Sequence, residues 1–88
     1  MNIKRHILLG IHVTDRMKKA VEVQKIFSDY GCYIKTRLGL HDATEEYCAS
    51  SGVVVLEILD NEAVRQEMVS RLQQIDGLEV KEMVFDHP

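Results

Sequence analysis

The chain has no tryptophan, few aromatic residues of any kind, only two cysteines and no excess of basic charge. Each shortage removes a class of explanation. A net charge of −3 has the wrong sign for a domain that grips a phosphate backbone with a basic face, so direct nucleic-acid binding is not expected. Cys32 and Cys48 make at most one pair, and the apolar stretch Ile7 to Val13 is short and interrupted by Gly10 and His12, unlike a secretory leader. The expected location is the cytoplasm, with reduced thiols. No run approaches the roughly 20 apolar residues that span a bilayer, so no membrane partner is expected. Glycine-rich phosphate loops, linkers, repeats and low-complexity tracts are missing too, since Gly39 and Gly52 stand alone.

What is present is an 88-residue chain of which 45% is hydrophobic, too apolar for disorder and long enough for one domain, 1–88. A chain this short buries only about 60–65% of the surface that its unfolded form exposes, so partner subunits could supply further burial.

The apolar pattern switches period along the chain. From Ile3 to Val13, Ile7, Leu9, Ile11 and Val13 alternate with His6, Leu8, Gly10 and His12, which marks a strand. Thr14 or Asp15 can cap a following helix, and Gly31 can end it in a left-handed conformation. Between them Met17, Ala20, Val21, Phe27 and Tyr30 recur at helical spacing, with Arg16, Lys18, Lys19, Glu22 and Lys25 toward solvent. Tyr33 to His41 alternates again, setting Ile34, Leu38 and Leu40 against Tyr33, Lys35, Arg37 and His41, as an edge strand would. The connector 42–52 is acidic, and Asp42 to Tyr47 is long enough for a helical turn. Val53 to Leu59 reads as a central strand covered on both faces.

Asp60 or Asn61 is positioned to cap a second helix that Gly77 closes, with Val64, Met68, Leu72 and Ile75 as its apolar stripe. Leu78 to Phe85 supplies a last strand, in which Glu82 interrupts the inward face and requires a bulge or an edge. The order β-α-β-β-α-β predicts an α+β ferredoxin-like sandwich, a four-stranded antiparallel sheet with two helices on one face. The other face would expose Leu8, Val53, Val55, Leu59, Met83 and Phe85, so a homo-oligomer through that open face is expected.

His41 and Cys48 flank a loop, and imidazole with thiolate suits zinc or nickel. Two ligands do not complete a site, and Asp42, His6, His12 or another subunit would have to add to them. The bland alternative is a strand-end histidine in solvent and a cysteine packed as a small hydrophobe. A cysteine enzyme pairing Cys48 or Cys32 with His41 lacks an oxyanion hole and an orienting third group. His6 and His12 lie about 20 Å apart along an extended strand, too far to chelate together, and His87 sits at the end of the chain. Lys35 and Arg37 on one strand face can bind an anionic ligand or guard an edge. Glu45 and Glu46 read as a solvated pair.

The run Thr36 to His41 (TRLGLH), Cys48, Gly52 with the strand ending Leu56 to Leu59 (LEIL), and Ile75 to Lys81 (IDGLEVK) with Met83 to Phe85 (MVF) together resemble the family of small regulators of the iron-only hydrogenase system. The resemblance covers nearly the whole chain. It implies an ACT-like domain, similar also to the ligand-sensing domain of nickel-responsive regulators, forming a dimer or tetramer with ligand sites between subunits. The nickel regulators carry closely spaced strand histidines where Lys35, Arg37 and Gly39 stand here. The implied function is that of a regulatory or sensor domain without catalysis, with Arg37, His41 and Cys48 as candidate ligand-binding residues.

Overall fold

A computed structural model of the chain describes residues 5–14, 16–41 and 52–86. Its elements are β1 (His6–Val13), α1 (Arg16–Asp29), a 3-10 turn (Gly31–Tyr33), β2 (Ile34–His41), β3 (Gly52–Ile58), α2 (Glu62–Gln73) and β4 (Leu78–Phe85). The strands form one antiparallel sheet in the order β2-β3-β1-β4. This is the ferredoxin-like arrangement, with the most apolar strands, β1 and β3, in the middle.

Alternation in β1 sorts its residues onto two faces. Ile7, Leu9, Ile11 and Val13 join Leu56 and Ile58 of β3 in the core, and their register partners on β4 are Val84, Glu82, Val80 and Leu78. The helices close over this face with Val23, Ile26 and Phe27 from α1 and Met68, Val69 and Leu72 from α2. One position departs from the expected stripe of α1. Val21 is 79% exposed, and the inward face is Val23, Ile26, Phe27 and Tyr30, the i, i+3, i+4, i+7 set that a straight helix presents to one side.

Asn61 caps α2, its side-chain oxygen accepting from the Val64 amide at 3.1 Å. Asp60 instead receives the Arg5 backbone amide at 2.9 Å and its guanidinium, also at 2.9 Å. Gly31 does not take the left-handed conformation expected of it; α1 runs into the 3-10 turn, where the Tyr33 amide donates to Tyr30 O at 2.9 Å. Among the described residues Gly77 alone has positive φ, +85°. There the Thr14 amide and hydroxyl both donate to the Gly77 carbonyl, at 2.9 and 2.7 Å, so the β1–α1 and α2–β4 turns are locked together.

The largest departure from simple alternation is in β2. Ile34 pairs with Ile58, but Thr36 pairs with Glu57, so Lys35 is an extra residue in a bulge. One extra residue inverts every side chain beyond it. Arg37 then lies opposite Leu56 on the helix face, and Lys35 reaches Glu57 on the open face. The expectation that Lys35 and Arg37 share a face is overturned. Ile34 and Leu38 likewise fall on opposite faces, with Leu38 54% exposed.

Glu82 occupies the helix face, as its spacing indicates, at the edge strand β4. Arg65 of α2 supplies its counter-charge at 2.6 Å. Arg65 also pairs with Glu62, which Arg5 holds at 2.8 Å. Those two guanidinium groups pull the Glu62 carboxyl down to about 2, and Arg5 in turn holds Asp60 below its usual range.

Candidate functional site

The antiparallel register sets the end of β2 against the start of β3. His41 is the last residue of β2, and its backbone partner is Gly52, so the intervening segment leaves and returns at one corner of the sheet. Cys48 and Asp42 lie outside the described residues, as do Glu45, Glu46 and His87. The joint use of His41 and Cys48 therefore stays an expectation. Among the described residues no group of three or more histidine, cysteine or carboxylate side chains is placed to hold a metal.

Arg37 stands four residues before His41 on the same edge strand. Its guanidinium carbon lies 4.8 Å from the centre of the Phe27 ring, and Nη2 donates to Gln24 Oε1 at 2.9 Å. The bulge makes this possible by turning Arg37 toward α1. Neither partner is charged, and among the described residues Arg37 has no ion pair. Its remaining N–H groups retain the planar fork that matches a carboxylate or phosphate. Two residues on, a Cβ built on Gly39 would meet nothing within 4 Å among the described residues.

The remaining candidates separate. Cys32 is exposed in the 3-10 turn, at the opposite end of β2 from His41. The intervening strand holds them roughly 24 Å apart at about 3.4 Å per residue, so a Cys32–His41 catalytic pair is ruled out. His6 Nδ1 lies 3.1 Å from Glu57 Oε2, which also accepts from Lys35 at 3.4 Å. The His6 contact is the main reason the Glu57 carboxyl is held below its ordinary range. His12 lies toward the other end of β1, opposite Val53 and Glu79.

Two depressions on the helix layer escape sequence reasoning. One, of about 460 Å³, is lined by Tyr30, Ala63, Gln66, Glu67, Ser70 and Arg71; the other, of about 360 Å³, runs along Lys19, Ile26, Arg71 and Ile75. Their polar groups engage one another: Arg71 lies over Tyr30 at 5.4 Å and bonds Asp29 at 3.0 Å, and Tyr30 donates to Glu67 at 3.0 Å. They form the seam between two helices. No periodic signal reveals them, because the partners come from distant parts of the chain.

No protein-family model matches the chain, and no curated protein matches it. Solved structures do. An uncharacterized protein from Thermotoga maritima is 25% identical, with a TM-score of 0.78 over 92% of this chain and 96% of that one. The regulatory subunit of aspartate kinase from Thermus flavus is similar over 98% of this chain and 54% of that one, with 12% identity and a TM-score of 0.54. The nitrogen regulatory PII-like protein CPII from Thiomonas intermedia, in a structure bound to ADP, AMP and acetate, matches over 100% of this chain and 95% of that one at 8% identity and a TM-score of 0.53. The last two are likenesses of fold. Regulatory proteins are thus among the ferredoxin-like neighbours, and none of these three is named for the iron-only hydrogenase system. No helix among the described residues is long and apolar enough to cross a membrane.

Proposed function

We propose that this chain is a cytoplasmic regulatory domain that binds a small anionic ligand at the β2–β3 corner and acts through contacts between copies of itself, without catalysis. The observation that carries the reading is the Arg37 guanidinium, held over Phe27 and by Gln24 beside the bare Gly39, with no carboxylate partner among the described residues. His41, at the end of β2, and Cys48, in the segment that follows, are the other residues assigned to the site. Regulatory proteins with the same fold, one of them seen with ADP and AMP, support the class of function. The sequence resemblance supports a role in the iron-only hydrogenase system. A ligand regulates only if its affinity differs between two states of the assembly.

The alternative use of the same corner is a nickel or zinc module through His41 and Cys48. Thermal melts separate the two. A ligand that binds only the native state at about a hundred times its Kd stabilises it by about 2.7 kcal/mol. Adenine nucleotides and amino acids are the expected stabilisers, and Arg37→Ala should abolish their effect. A response confined to Ni²⁺ or Zn²⁺ and lost in His41→Ala and Cys48→Ser would replace this reading with the metal module. A ligand response that survives all three substitutions would move the site elsewhere.

A further inference from the structure

Gly10 lies in the middle of β1, a central strand, at the centre of the open face. Glycine there weakens a strand, because it adds backbone entropy and packs no side chain. Nothing among the described residues requires it. Its φ is not positive, and the nearest atom to an added Cβ is Lys81 O at 4.0 Å, an ordinary contact. The missing side chain leaves a dimple, with Leu8 and the half-buried Val55 beside it. Leu38, Met83 and Phe85 surround them at 54%, 55% and 50% exposure.

We infer that a second copy of the chain covers this face, with Val55 of each copy seated over Gly10 of the other; this rests on the oligomer proposed above. Gly10 and Val55 are direct register partners across β1 and β3. A two-fold axis running along the strands between β1 and β3 therefore exchanges them, placing each valine over the other copy's glycine in a self-complementary contact. Sheets packed face to face sit about 10 Å apart, and the dimple lets a branched side chain enter that gap.

Area and charge both favour this occupant. Four strands of seven or eight residues cover roughly 500 Å² in plan, and more with side-chain relief, approaching the about 600 Å² per partner of the smaller specific interfaces. The carboxylates on the face among the described residues already have partners: Glu57 has the Lys35 ammonium and the His6 imidazole, and Glu79 has Lys81. Closing the face on a copy of itself thus buries no unpaired carboxylate.

Sedimentation equilibrium of the full chain at micromolar concentration tests the contact, with circular dichroism as the check on folding. The unaltered protein is expected as a dimer or a multiple of it. The Cβ of Gly10→Leu makes only an ordinary contact among the described residues and the rest of the side chain leaves from the open face, so the variant should fold while weakening association by on the order of a hundredfold. Val55→Ala should weaken it roughly tenfold, and it decides the matter if Gly10→Leu fails to fold. A monomeric mass for the unaltered chain would overturn the oligomer and this contact together. An oligomer that Val55→Ala and a folded Gly10→Leu leave unchanged would overturn this contact alone.

Discussion

Replacing Gly77 with alanine tests the junction that locks two turns at one end of the sheet. At φ +85° an L-residue meets its own carbonyl, at about 1–2 kcal/mol. The new Cβ would also stand 2.7 Å from Thr14 Oγ1, so the hydroxyl must move and its bond to the Gly77 carbonyl is lost, at about 0.5–1.5 kcal/mol. Alanine restricts the unfolded chain, which returns about 0.4–1 kcal/mol. The net expectation is a loss of about 0.5–3 kcal/mol from a total of roughly 4–13 kcal/mol for a chain of this length. With an unfolding entropy of about 2.1 cal/mol/K per residue, the melting temperature should fall by roughly 3–15 °C. Urea titration of the single variants and of Thr14→Ala/Gly77→Ala completes the cycle. The double variant should be less destabilised than the sum of the two, because removing the hydroxyl relieves the clash and leaves only backbone strain. A Gly77→Ala protein that melts at or above the original temperature would refute the argument.

Acid should expose the ion-pair network. Glu62 titrates at about 2 in the folded state against an ordinary 4.5, and Asp29, Glu57 and Asp60 are displaced in the same direction. Depressed carboxylates stabilise the fold above their unfolded values and lose that contribution as pH falls toward the folded ones. The melting temperature should therefore decline between about pH 5 and pH 2, and Glu62→Gln should flatten the decline; an unchanged slope would remove Glu62 from the account. In the core, Leu72→Ala should lower stability by about 2.7–5 kcal/mol, since Leu72 is fully buried between the helices and the sheet, and a urea midpoint within error of the original would contradict that packing.

Element order and the two faces of β1, β3 and β4 are legible in the sequence because central strands alternate or run apolar without interruption. Leu78–Phe85 matches its expected bounds, and Glu82 is tolerated for the reason its position implies: it lies at an edge, within reach of a cation. β2 departs from its expected faces at the residue after Ile34. A bulge is a tertiary feature with no compositional mark here, and counting by twos carries the wrong phase through to His41. The same limit applies to the site. Arg37 is legible as a candidate anion ligand, but its placement over Phe27 depends on that bulge and on which face of α1 turns inward. Val21 and Val23 are chemically alike, and only the direction of the helix axis over the sheet separates the exposed one from the buried one.

The extra residue at Lys35 also changes how relatives should be aligned with this chain. Between two ferredoxin-like proteins, a one-residue gap in the second strand looks like trimming at a turn. Here a gap at Lys35 only removes the bulge and leaves Arg37 opposite Leu56, whereas a relative of equal length that paired without the bulge would exchange inside for outside along 36–41 and carry this arginine onto the surface proposed to meet another copy. A homologue of equal length lacking the bulge should therefore place its basic residue one position earlier if it binds the same ligand. One of equal length that keeps arginine at the aligned column without the bulge has lost the site, however high its identity.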